Sequence, residues 1–99
     1  MKVNVSEKVL DYNDQPIKDG EKDLEWRTVF FVALNNFARD DVPNNDVKMR
    51  CYQLTKKVFD INEPDLSVDE RSLLLDRIKK IYLSPLICGK AGLLLEGDK

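Results

Sequence analysis

The sequence predicts a mainly α fold, a compact domain of three to four helices carrying a small N-terminal β-hairpin. Three observations carry that expectation. Apolar residues recur at helical spacing through most of residues 24–95. Polar loops rich in Asn, Asp and Pro interrupt them at 40–45 and 60–66, and a Ser-Pro pair does so at 84–85. Residues 3–19 instead alternate apolar and polar side chains. The 99 residues, 42% of them hydrophobic, suffice for one core, so 1–99 reads as a single domain.

The elements follow in chain order. Val3 and Val5 alternate with polar neighbours, and Val9, Leu10, Tyr12 and Ile17 flank Asn13-Asp14-Gln15-Pro16. Asn and Asp bond their own backbone and Pro fixes φ, so residues 1–20 are expected to form an extended arm or hairpin that turns at 13–16. Asp19-Gly20 then breaks the chain. A first helix is expected over 23–39, capped by Asp23, with Glu21 and Glu25 suited to the positive end of its dipole. From Val29 to Leu34 it is apolar all round, which predicts a central helix surrounded by protein.

A second helix is expected over 46–59. Val47, Cys51, Leu54 and Val58 form its apolar stripe, widened by Tyr52, Thr55 and Phe59. Ser67-Val68-Asp69-Glu70 is a capping box: the Ser hydroxyl accepts from the Glu70 amide while the Glu carboxylate reaches back to the Ser amide. It opens a third helix over 67–83, with Leu74, Ile78, Ile81 and Tyr82 on one face. Ser84-Pro85 ends it, since an internal proline costs about 3 kcal/mol, and the same pair makes a good N-cap and first helical residue. A fourth helix is expected over 85–95, closed by Gly97.

That last segment is the most informative. Seven of the ten residues from Leu86 to Leu95 are apolar, so the segment must be hidden in the chain's own core or on another molecule. The candidate partner-binding residues are Tyr82, Leu86, Ile87, Leu93, Leu94 and Leu95, which would mediate self-association or grip a protein partner.

Other classes of function find little support. The absence of histidine removes the commonest general acid/base and the commonest metal ligand. Cys51 and Cys88 each sit in an apolar helical pattern and read as small buried hydrophobes in a reducing cytoplasm. Asp11-Tyr12-Asn13-Asp14-Gln15 starts like a calcium loop but places Pro16 where glycine is needed and Lys22 where a bidentate Glu is needed. Gly89-Lys90-Ala91-Gly92 lacks the full phosphate-loop pattern and has no strand before it. Asp69 and Glu70 are explained by their place in a first helical turn. No cofactor, metal or small-molecule substrate is expected, and the chain reads as non-enzymatic.

Charge argues equally against nucleic acid. Sixteen basic against eighteen acidic residues leave a net charge of −2, without the basic balance of a duplex-binding domain. Lys56, Lys57, Arg77, Lys79 and Lys80 would make a modest basic strip if their helices lay side by side, but the third helix starts with acids that repel phosphates. Trp26, Phe30, Phe31 and Phe37 have the spacing of core residues rather than base-stacking ones. No run reaches the ~18 apolar residues that span a bilayer, and residues 1–8 lack a signal-peptide stretch, so a cytoplasmic location is expected.

Several local sequences set the cadence of the chain: the Asp-x-x-x-x-Pro-Ile turn at 11–17, Leu24-Glu25-Trp26-Arg27-Thr28-Val29 and Lys48-Met49-Arg50-Cys51-Tyr52-Gln53-Leu54. Leu66-Ser67-Val68-Asp69-Glu70-Arg71 and Leu83-Ser84-Pro85-Leu86-Ile87-Cys88-Gly89-Lys90 complete the series. With this cadence the chain resembles a group of small, mostly uncharacterised proteins of tailed bacteriophages and prophages. The likeness spans most of the chain and carries over no site residue. It implies a bacterial cytoplasmic setting and a role in phage assembly or in handling host factors. The expected function is a protein-interaction module acting through an apolar helical surface. An assembly chaperone for a tail or capsid protein and a small DNA-binding regulator are the alternatives.

Overall fold

The structure, a computed structural model, describes residues 1–38 and 40–96. It contains β1 (Lys18–Asp19), β2 (Lys22–Asp23), α1 (Trp26–Asn35), α2 (Asn45–Asp60), α3 (Val68–Ile81) and α4 (Pro85–Glu96). Helix α1 packs on both α2 and α3, and α3 in turn carries α4. Helix α1 ends at Asn35, with Asn36 already extended at φ −125°, short of the end expected at residue 39, and the expected closure of the last helix at Gly97 falls outside the described residues.

The N-terminal arm organises more of the fold than its two-residue alternation implied. Val3, Val5 and Val9 enter the core and belong to the same buried cluster as Val29, Phe30, Leu34, Leu66 and Ile78. Alternation puts the intervening backbone within reach of the 62–66 loop. The Val3 and Val5 amides donate to Pro64 and Asn62 carbonyls at 3.1 and 2.9 Å, and the Leu66 amide donates to Met1 O at 2.8 Å. The same arm caps α1. Trp26 and Arg27 amides, which open that helix and have no partner within it, donate to Glu7 O and Val5 O at 3.1 and 2.8 Å. This corrects the expected cap at Asp23, which is instead paired with Lys18 in the β-ladder. The residue preceding α1 is Glu25, and its side chain makes no cap bond.

The hairpin also sits later than expected. Its turn is Gly20-Glu21, beginning at the glycine read above as a chain break, with Gly20 at φ +67° as the first central residue of a type II′ turn requires. The expected turn at 13–16 is present too. Asp11 Oδ1 accepts from the Asn13 and Gln15 amides, Asp14 adopts a left-handed φ of 59°, and Leu10 bridges Pro16. The Asp11 carboxylate is therefore engaged by backbone. The two turns fold three segments into a closed ring, in which Ile17 N donates to Val9 O, Val9 N to Leu24 O and Leu24 N to Ile17 O, at 2.7–2.9 Å.

Helix boundaries set by local chemistry lie where the residues demand. Asn44 Oδ1 accepts from Val47 N at 2.8 Å to start α2, and both bonds of the Ser67–Glu70 capping box are made at the start of α3. Two expectations about burial need correction. Helix α1 is not covered by protein all round, because Phe31 is 41% exposed, and Tyr52 and Phe59 stand outside the buried stripe of Cys51, Leu54 and Val58 on α2.

Candidate functional site

The candidate site is α4, an apolar helix with only one side covered. Its start is defined by Ser84, whose Oγ accepts from Ile87 N at 3.4 Å and whose carbonyl accepts from Cys88 N at 3.1 Å, with Pro85 in the first turn. Its end is held by Arg71 of α3, whose Nη1 donates to Leu95 O at 3.0 Å. Lys90 Nζ ties its middle to Asp11 O at 3.3 Å, in the turn that follows the arm.

Ile87, Ala91 and Leu95 recur every four residues and are buried. This corrects the expectation of one six-residue partner surface. Ile87 and Leu95 complete the chain's own core against α3, and burial there excludes them from contact with another molecule. Leu94 and Tyr82 are half-buried against that core. The Tyr82 phenol is pushed above its usual range by burial, with the Asp19 carboxylate adding to the shift. Leu86 is half-buried, whereas Leu93 is 75% exposed. Leu86 and Leu93 are seven residues apart, two helical turns, and so share a stripe. Leu83, immediately before the helix, is 94% exposed. The sequence reading missed Leu83 because it placed that residue in the last turn of the third helix, whereas α3 ends at Ile81 and leaves Leu83 in the linker.

Two glycines interrupt this outer side. A Cβ placed on Gly89 or Gly92 would meet nothing within 4 Å among the described residues. Glycine inside a helix costs about 1 kcal/mol relative to alanine, and no close approach among the described residues accounts for either one. Beside Leu93, a groove of about 310 Å³ opens against the arm, floored by Leu10, Trp26 and Leu94 and edged by Lys90. Chemically the edge offers apolar side chains, a shallow apolar groove and bare helical backbone.

The supposed basic strip is dispersed. Arg77 lies in the interior, Lys57 pairs with Glu70 at 3.0 Å, and Lys80 pairs with Asp76 at 3.3 Å. Sequence reasoning also missed that three arginines cap the C-terminal ends of other helices. Arg77 Nε donates to Ala33 O of α1, Arg27 Nε to Val58 O of α2, and Arg71 Nη1 to Leu95 O of α4. Each neutralises carbonyls that a helix end leaves without partners.

Cys51 and Cys88 are free. Burial pushes the Cys51 thiol up, away from the reactive thiolate, with Arg77 and Arg50 opposing weakly. Among the described residues no group of three Asp, Glu or Cys side chains is placed to hold a metal ion, and no helix is long and apolar enough to cross a membrane. Compared with models of known protein families, with curated proteins and with solved structures, the chain matches none.

Proposed function

We propose that the protein is a non-enzymatic protein-interaction module that works through the outer edge of α4, and that a second copy of the same edge is its occupant. The observation that carries this reading is the exposure of Leu93 on a helix whose opposite side is locked into the core. The edge is self-complementary. Leu86 and Leu93 lie symmetrically about Gly89-Lys90, so a two-fold axis there sets Leu86 of each copy against Leu93 of the other. The open backbone at Gly89 lets the two helices approach closely. Twelve residues make a helix of about 18 Å, so the contact is small and its expected affinity is micromolar or weaker.

The resemblance to phage proteins supports a place among accessory proteins of a bacteriophage, acting in the host cytoplasm. Sedimentation equilibrium tests the proposal. The wild type should associate reversibly at micromolar to millimolar concentration, and Leu93→Asp should sediment as a monomer with unchanged circular dichroism. A wild type that remains monomeric throughout that range overturns it.

A further inference from the structure

A second face, on α1 and α2, has a different chemistry. Phe31 and Phe59 pack ring to ring, with centroids 5.8 Å apart and planes tilted by 54°, yet Phe59 remains 58% exposed. Further along the same seam Asn35 Nδ2 donates to Thr55 Oγ1 at 3.1 Å, which sets the two helices antiparallel there. Beyond that rung Tyr52 is as exposed as Phe59. Lys48 and Lys56 lie one turn before and one turn after Tyr52, both exposed, and among the described residues neither joins an ion pair. Helix α2 holds four basic and two acidic residues in a chain whose net charge is −2, so positive charge is concentrated on it.

Exposed aromatic side chains gathered on one face mark a contact surface, and the two free ammonium groups fix the sign of what covers it. A second copy fits poorly, because a two-fold axis through Tyr52 sets the exposed Lys48 of each copy against the exposed Lys56 of the other, whereas at the α4 edge Lys90 is turned aside to Asp11 O. Single-stranded nucleic acid stacks successive bases on unpaired rings, whereas Phe31 and Phe59 are already packed on each other, which leaves Tyr52 as the aromatic ring of this face without a ring partner among the described residues. We infer that the Phe31–Phe59 face binds an acidic segment of another protein. Phe31, Tyr52 and Phe59 cover its apolar side chains, and Lys48 and Lys56 pair with its carboxylates. This face is separate from the α4 edge and does not depend on it.

Fluorescence anisotropy on the full chain tests the inference with three labelled probes. They are an acidic amphipathic peptide of Glu, Leu and Phe, its counterpart with Lys for every Glu, and oligo-dT. The acidic peptide should bind, more weakly as salt rises, and the lysine peptide should not. Phe59→Ser and the double variant Lys48→Glu/Lys56→Glu should each weaken binding by about tenfold. Leu93→Asp should leave it unchanged. Thermal melts identical to wild type separate these surface effects from unfolding. Failure of the acidic peptide to bind, equal binding of the lysine peptide, tighter binding of oligo-dT, or loss of binding in Leu93→Asp would overturn the inference.

Discussion

Arg77 of α3 and Asp41, which follows α1, form an ion pair in which the arginine is 2% exposed. The same guanidinium donates to Ala33 O and Asn36 O at 3.3 and 2.7 Å and lies 3.9 Å from the centre of the Phe37 ring. One buried cation therefore closes α1, anchors the chain that leaves it and joins both to α3. A buried charge is tolerable only when its donors are engaged. Arg77→Ala should cost roughly 3 kcal/mol in urea unfolding, because it opens a cavity and strands the α1 carbonyls. Asp41→Asn should also destabilise, and a double-mutant cycle should show coupling between the two. Additive effects would mean that the pair does not act as a unit.

Stability should fall on both sides of neutrality. Four carboxyls are held below their usual range, Asp65 among them through its hydrogen bond from the Met1 ammonium. Asp41 is lowered by the hydrogen bond and charge of Arg77, and Asp23 chiefly by the hydrogen bond from Lys18. For Glu70, burial is the largest single influence and raises the value, but the Ser67 amide and Lys57 together outweigh it. A depressed folded-state value stabilises above the unfolded value and is lost as pH falls, so unfolding should become easier below about pH 4. Cys51 and Tyr82 are raised by burial, so their contribution is intact below the unfolded values and is lost above about pH 8.5 for the thiol and about pH 10 for the phenol. With no histidine to titrate, urea midpoints should be flat between about pH 6 and 8. A step in that window would contradict this assignment.

The capping box should be measurable alone. Ser67→Ala removes the acceptor for Glu70 N, 3.1 Å away, and should cost about 1 kcal/mol. Glu70→Gln keeps the reciprocal bond to the Ser67 amide but discharges the Lys57 pair, so it should cost less, and only at low salt.

Gly89→Ala and Gly92→Ala should each stabilise the monomer by about 0.5–1 kcal/mol, since the space beside each is open and helical alanine is favoured. If Gly89 lies at the crossing point of two α4 helices, Gly89→Ala should at the same time weaken association. A stabilising effect without any change in association would remove Gly89 from the interface.

Caps built from neighbouring residues were legible in the sequence. The Ser67–Glu70 box and the Ser84-Pro85 break depend on side chains three or fewer positions from the groups they satisfy, and both stand where expected. The arginine caps were not legible, because Arg77, Arg27 and Arg71 reach carbonyls 44, 31 and 24 residues away. The start of α1 escaped for the same reason, its cap being the backbone of the arm. Spacing also leaves the width of a buried stripe undetermined. Tyr52 and Phe59 fit the edge of the α2 pattern yet stand outside the core. Helix α4 shows this most fully. Apolar residues surround it, so its sequence carried no sign of which side α3 covers, and the choice of Leu93 over Leu95 required the fold.

Contact between two copies of α4 across Gly89-Lys90 is open to direct measurement by disulfide trapping. In a Cys88→Ser background, the single variants Leu86→Cys and Leu93→Cys are oxidised separately and mixed. Crossed geometry requires the mixture to form covalent dimers faster than either variant alone. No crosslinking, or equal rates in all three samples, would contradict it.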